Sequence, residues 1–144
     1  MNKKSTVKIG LIIFLMNLVL SSCCPFIKAD DLGHDFILSE YDNVDRRILY
    51  SKDKCSGEGI EIVPMTVLEY ANNSNWIIAK SSKSKPSADY EYWIIDKNFD
   101  IRQNDSTTNI VKAHVSGPLD SVTFINRLNQ QNINLKLKKV LVDK

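Results

Sequence analysis

From Phe36 onward the apolar positions fall into short runs that mostly alternate with polar ones, the pattern of half-buried strands. Phe36-Ile37-Leu38-Ser39-Glu40-Tyr41 reads as a strand, Asp42-Asn43 supplies turn chemistry, and Arg46–Ser51 returns as the partner of a hairpin. Lys52–Gly59 is a polar loop holding Cys55. Ile60-Glu61-Ile62-Val63 alternates up to Pro64 and suits a sheet edge. Thr66–Tyr70 is the next strand, followed by the turn cluster Asn72–Asn75. The strongest local signal comes next. Trp76-Ile77-Ile78-Ala79-Lys80 and Trp93-Ile94-Ile95-Asp96-Lys97 share the pattern Trp-Ile-Ile-x-Lys across the polar loop Ser81–Asp89, predicting an antiparallel hairpin at the sheet centre. The echo also predicts Trp76 and Trp93 at equivalent positions on matching faces, each packed beside an Ile, with Lys80 and Lys97 capping the core edge.

Beyond the hairpin the pattern changes. Asn98–Asn109 is polar and turn-rich, Ile110–Val115 reads as a short strand, and Ser116-Gly117-Pro118 breaks the chain. One convincing helix follows, with Asp120 as its N-cap, Leu119, Val122, Ile125 and Leu128 recurring every three residues, Phe124 alongside, and Asn132 closing it. Leu135-Lys136-Leu137-Lys138 alternates as a final strand, and the phase slips at Lys139. Strands followed by one helix predict an α+β domain: an antiparallel sheet of about five to seven strands with one C-terminal helix packed on it. A small β-barrel with an appended helix is the alternative.

The chain begins differently. A basic leader with Lys3, Lys4 and Lys8 precedes the apolar run Ile9–Leu20, which is shorter than the ~20 residues of a permanent span. Basic, apolar and small-residue segments in that order make an export signal, set aside from fold reasoning. Its end, Leu20-Ser21-Ser22-Cys23, resembles the lipobox of bacterial lipoproteins. The resemblance implies cleavage before Cys23, diacylglycerol on its thiol, and a chain held in the cell envelope. Cys24 after the lipid site favours the outer membrane over the inner one if the cell has one. The expected organisation is a signal peptide over 1–22, a lipidated N-terminus and short tether over 23–34, and one globular domain over 35–144.

Charge and cysteine count are read after that cut. The full chain carries +2, but three lysines leave with the leader, so the mature chain is close to −1 and offers no basic field for nucleic acid. With Cys23 lipidated, Cys24 and Cys55 remain as a candidate disulfide. It would close a loop of about 30 residues, worth roughly 3–4 kcal/mol in the chain-entropy model.

Taken whole, the chain resembles a family of small uncharacterised bacterial lipoproteins, domain of unknown function 3997. The resemblance rests on Cys23, Asn75–Lys80, Tyr92–Lys97 and Gly117-Pro118-Leu119 ahead of a helix. It implies an envelope lipoprotein and no catalytic residue.

Chemical constellations are sparse. His34, His114 and Cys55 lack the short spacing of a structural zinc site, so no metal and no cofactor are expected. There is no Gly-x-Ser-x-Gly elbow, and Asp89 with Glu91 reads as a solvated strand face. Trp76, Trp93, Tyr70, Tyr90 and Tyr92 read as packing before a glycan platform. Asp105-Ser106-Thr107 and Asp120-Ser121-Val122 both match a short O-glycosylation pattern, with Ser106 the candidate and Ser121 assigned to the helix start. The expectation is therefore a lipid-anchored, non-enzymatic binding or accessory module, its partner an envelope protein or glycan. The alternatives are an immunity or inhibitor lipoprotein against a hydrolase and, behind it, an envelope hydrolase.

Overall fold

Two antiparallel sheets share the apolar runs that the sequence assigned to one. The computed structural model describes residues 28–41, 45–54, 57–64, 66–83, 89–102 and 105–140. The first sheet holds β1 (Lys28–Gly33), β2 (Phe36–Tyr41), β3 (Asp45–Tyr50) and β4 (Ile60–Val63), hydrogen-bonded in that order. The second is built from β5 (Val67–Asn72), β6 (Trp76–Ser82), β7 (Tyr90–Asp96), β8 (Val115–Leu119) and β9 (Lys138–Lys139). Its order is β8-β7-β6-β5-β9. Two helices complete the described chain, α1 (Thr107–Ala113) and α2 (Ser121–Gln130). The class is α+β, with nine strands in two sheets and two helices among the described residues, in place of one sheet and one helix.

Strand alternation decides what lies between the sheets. Phe36 and Leu38 of β2 and Ile48 and Tyr50 of β3 point inward against Val67, Ile77, Ala79, Trp93 and Ile95 of the second sheet. Each such aliphatic side chain, fully buried, contributes about 1.5–3 kcal/mol. The opposite parity of β6 and β7, Ile78 and Ile94, meets Phe124 and Ile133 in a second core. The second sheet is thus the middle layer, with the first sheet on one face and α2 on the other.

Several sequence expectations change here. The tether assigned to residues 23–34 contains β1, so the folded part begins by Lys28 rather than Asp35. Ala-Asp-Asp offers nothing to pack, but Leu32 is buried, and pairing with β2 orders the rest through the backbone. Ile110–Val115 is not a strand: residues up to Ala113 end α1, with only Val111 buried, and Val115 opens β8. In α2 the three-residue series does not form the buried face, since Val122 and Ile125 are exposed at 66 and 55 %. Each three-residue step falls about 60° short of a turn, so the series winds off the sheet. Phe124 and Leu128, four apart, take the contact, and Phe124 stacks on Tyr92 at 4.9 Å.

The β6–β7 hairpin forms, but its two tryptophans are not equivalent. Antiparallel pairing reverses the second copy, so Trp76 lies opposite Asp96 and Trp93 opposite Ala79. Trp93 consequently faces the first sheet and Trp76 faces α2. Lys97 is no edge cap either, being 2 % exposed, and Lys80 lies half-buried with its ammonium 3.9 Å from the Tyr90 ring centre. The apparent slip at Lys139 has a simple cause. Leu135 and Leu137 pack on the helix-side core, whereas Val140, of the other parity, packs on the core between the sheets.

Asp120 caps α2 as expected, its Oδ1 accepting from the Val122 and Thr123 amides at 2.9 Å each. Asn132 takes the left-handed conformation at φ 53°. Hydrogen bonds from Thr123 hold the Asp120 carboxyl below its ordinary 3.8. With the folded value depressed, the cap's contribution is complete above pH 3.8 and is lost as pH falls through the folded value. Between about pH 4 and pH 2 the wild type should therefore lose melting temperature relative to Asp120→Asn, which has no carboxyl there to protonate.

Candidate functional site

β1 and β9 are edge strands of different sheets, and a groove of about 640 Å3 runs between them. Lys28 and Asp30 of β1 line it with Tyr70 to Asn72 of β5, Asn134 to Lys136, and Lys138 to Val140. Parity explains its charge. Leu135 and Leu137 turn into the helix-side core, which leaves Lys136 and Lys138 exposed, with Lys139 exposed beside them. Lys136, Lys138 and Lys139 make no ion pair among the described residues. The single acid of the lining, Asp30, accepts from the Tyr70 hydroxyl at 3.3 Å. Burial first, and then the Asp30 charge, pushes the Tyr70 phenol above its ordinary value of 10. The backbone around the lysines is fixed by β5–β9 pairing and by the Val140 amide, which donates to the Leu68 carbonyl at 3.1 Å.

β1 is locked at its other end. The Lys97 ammonium donates to the Leu32 carbonyl at 2.7 Å, and the Asn72 amide donates to the same oxygen at 3.2 Å. Burial pulls the Lys97 pKa below its ordinary range, partly offset by the Asp31 charge. Asp31 is engaged in turn by the Lys54 ammonium and the Gly33 amide, and these hold its carboxyl below 3.8.

Beyond that lock lie the two histidines weighed in the sequence, His34 and His114. Gly33, His34 and Asp35 have φ of 81, 53 and 62°. The last two form the two-residue connection of the β1–β2 hairpin, where positive φ at both positions matches strand twist. The turn is stapled: the Ser51 amide donates to the Asp35 carbonyl at 2.7 Å, and the Tyr50 hydroxyl approaches Asp35 Oδ2 at 3.4 Å. Burial and the Asp35 charge raise the Tyr50 pKa. A cavity of about 250 Å3 between this turn and Phe99 includes Lys52 and Asp100. His114 packs on the other side of Phe99, ring centres 4.9 Å apart, with Nδ1 3.8 Å from Asp96. The fold thus brings both histidines to one end. No group of three or more metal-ligating side chains forms among the described residues.

The remaining sequence candidates are scattered. Cys23, Cys24 and Cys55, and with them the lipidation and the disulfide, lie outside the described residues. Ser106 is exposed at the N-cap of α1, its hydroxyl making no capping bond. Glu91 is paired with Lys83 at 2.7 Å. The aromatics are spread apart: Trp93 is buried with Nε1 donating to Ser81 Oγ at 2.9 Å, Tyr92 stacks on Phe124, Tyr90 is exposed, and Tyr70 lines the groove. The basic groove was missed. Its signal was present in the Leu-Lys-Leu-Lys-Lys run and in Lys28, but only folding joins them.

Neither a curated protein nor a solved structure matches the chain. One family model does, over residues 33–141, and it is described as a protein of unknown function, DUF3997. The match begins at the β1–β2 turn and runs past β9, so it takes in β2 to β9 and both helices. The chain belongs to the DUF3997 family.

Proposed function

We propose that this is a lipid-anchored protein of the bacterial cell envelope that works by binding, as an accessory module, and not by catalysis. The observation that carries the reading is the groove between β1 and the C-terminal segment. Its lysines stand exposed on a fixed backbone, and its one acid is engaged by Tyr70. Such a surface recognises anionic partners through charge and hydrogen bonds. Anchoring falls to Cys23, where two or three acyl chains at about 0.8 kcal/mol per buried methylene hold a protein stably. In cells fed labelled palmitate the wild type should take up label and sediment with membranes. Cys23→Ala should do neither and should keep its leader. A Cys23→Ala protein that is still processed and membrane-bound would refute the anchor.

A second reading is favoured by the stapled His34–Asp35 turn. Its rigidity suits a loop presented to another protein's cleft at low entropic cost. On that reading the chain is an immunity or inhibitor lipoprotein. A hydrolase recovered on the mature chain, and lost with His34→Ala, would favour it over the accessory module. Turnover by the protein itself, abolished at a single acid or histidine, would refute both.

A further inference from the structure

We propose that the basic groove faces the bilayer, and that Lys28, Lys136, Lys138 and Lys139 engage anionic phospholipid headgroups so that the domain lies against the membrane. The inference deepens the anchored reading and rests on it. Distance comes first. Lys28 is five residues after Cys23, and a fully extended chain covers at most about 3.3–3.6 Å per residue, so Lys28 lies within about 18 Å of the lipidated residue. The groove begins at that lysine. It is therefore carried to within a few Debye lengths of the headgroups, each about 8 Å at physiological salt.

Charge distribution gives the orientation. The mature chain is nearly neutral, yet four lysines gather on this one side. Charges around Phe99, beyond the far end of β1, are mixed instead: Asp35, Asp96 and Asp100 stand there with Lys52. An anionic surface attracts the first region more strongly than the second. Lys28, Lys138 and Lys139 also sit on paired backbone, so their approach to the surface costs little ordering of the main chain. Each lysine near an anionic leaflet is worth about fivefold in partitioning, so three together amount to about a hundredfold.

The test uses the mature chain, residues 23–144, carrying Cys23→Ser so that lipid does not dominate, floated with phosphatidylglycerol–phosphatidylcholine vesicles at low ionic strength. The chain should float with these vesicles and not with pure phosphatidylcholine, and added salt should release it. Lys136→Glu/Lys138→Glu/Lys139→Glu should reduce flotation by about a hundredfold or more. Lys52→Glu/Arg102→Glu/Lys112→Glu, with the same change in net charge, should float nearly as well as the parent. Equal loss in the two triple variants, flotation with neutral vesicles, or no flotation at all would each overturn the proposal. Displacement by inorganic phosphate beyond that of sodium chloride at matched ionic strength would also overturn it, in favour of a small-anion site. Palmitate labelling reports the anchor separately. Labelled wild type with a chain that fails to float leaves the anchor standing and removes the orientation; a floating chain without label supports the surface and removes the anchor.

Discussion

Trp93→Ala is expected to remove about 3–5 kcal/mol of stability, as large-to-small changes of buried aromatics do. That is a large share of the ~5–15 kcal/mol holding a domain of this size, and should lower Tm by about 10 °C or more. The ring is 7 % exposed, in the core between the sheets. Its Nε1 donates to Ser81, itself 1 % exposed, so the substitution also strands a buried hydroxyl. The other face of the ring is covered by Gly117, where an added Cβ would lie 2.3 Å from Trp93 Cε3. Gly117→Ala should therefore damage the same contact by overpacking, at about 1–3 kcal/mol. Trp76, half-buried on the α2 side, should cost less as alanine. Thermal melts of the three variants order these effects, and acrylamide should quench Trp76 far more than Trp93. Near-wild-type melting of Trp93→Ala would mean that the ring is not part of the core.

Glu40→Ala is expected to cost about 3–5 kcal/mol, because it takes from the buried Arg46 guanidinium the carboxylate 2.8 Å away. The two stand opposite each other on β2 and β3, 2.8 Å apart, with side chains 7 % exposed. Their parity is that of Phe36, Leu38, Ile48 and Tyr50, so the pair closes the inter-sheet core at one end. There the Arg46 amide also donates to Thr66 Oγ1 at 3.3 Å, tying the first sheet to the entry of β5. Replacing both partners by apolar residues, Glu40→Leu with Arg46→Met, should recover most of the loss, since no buried charge of the pair then remains. Urea midpoints for the single and double variants, at unchanged slope, distinguish the cases. A single variant as stable as the double would show that the guanidinium finds water or another partner.

What the sequence disclosed was local. Period-two runs gave β2 to β7 close to their observed bounds, and Asp120 with Asn132 gave the ends of α2. Partnership is a long-range property, and it was not legible. Nothing in Ile60–Val63 or Val67–Asn72 says that the chain changes sheets between them. Nor does Lys97 announce that the Leu32 carbonyl, 65 residues earlier, will accept from it. The β1 residues look like linker because an edge strand needs little more than backbone pairing and one inward side chain, here Leu32. Ile110-Val111 has strand propensity, yet the segment is a helix that sends Val111 into the core. The groove fails to show for the same reason: Lys28 and Lys136 meet only because two sheet edges do.

Those edges have a further consequence, for how copies of the protein behave toward one another. Unpaired strands at the margin of a sheet are templates for a neighbour's strand and the usual start of edge-to-edge polymers. All four outer strands here are unsuited to that. β1 carries Asp30-Asp31, and its pairing with β2 is bulged; β4 is only four residues long, shifts register against β3 and runs into Pro64. β8 holds Pro118, which has no amide to offer, and β9 is two lysines. Copies of a protein at high concentration meet side-on and often. These margins let that happen without any sheet growing from one molecule into the next.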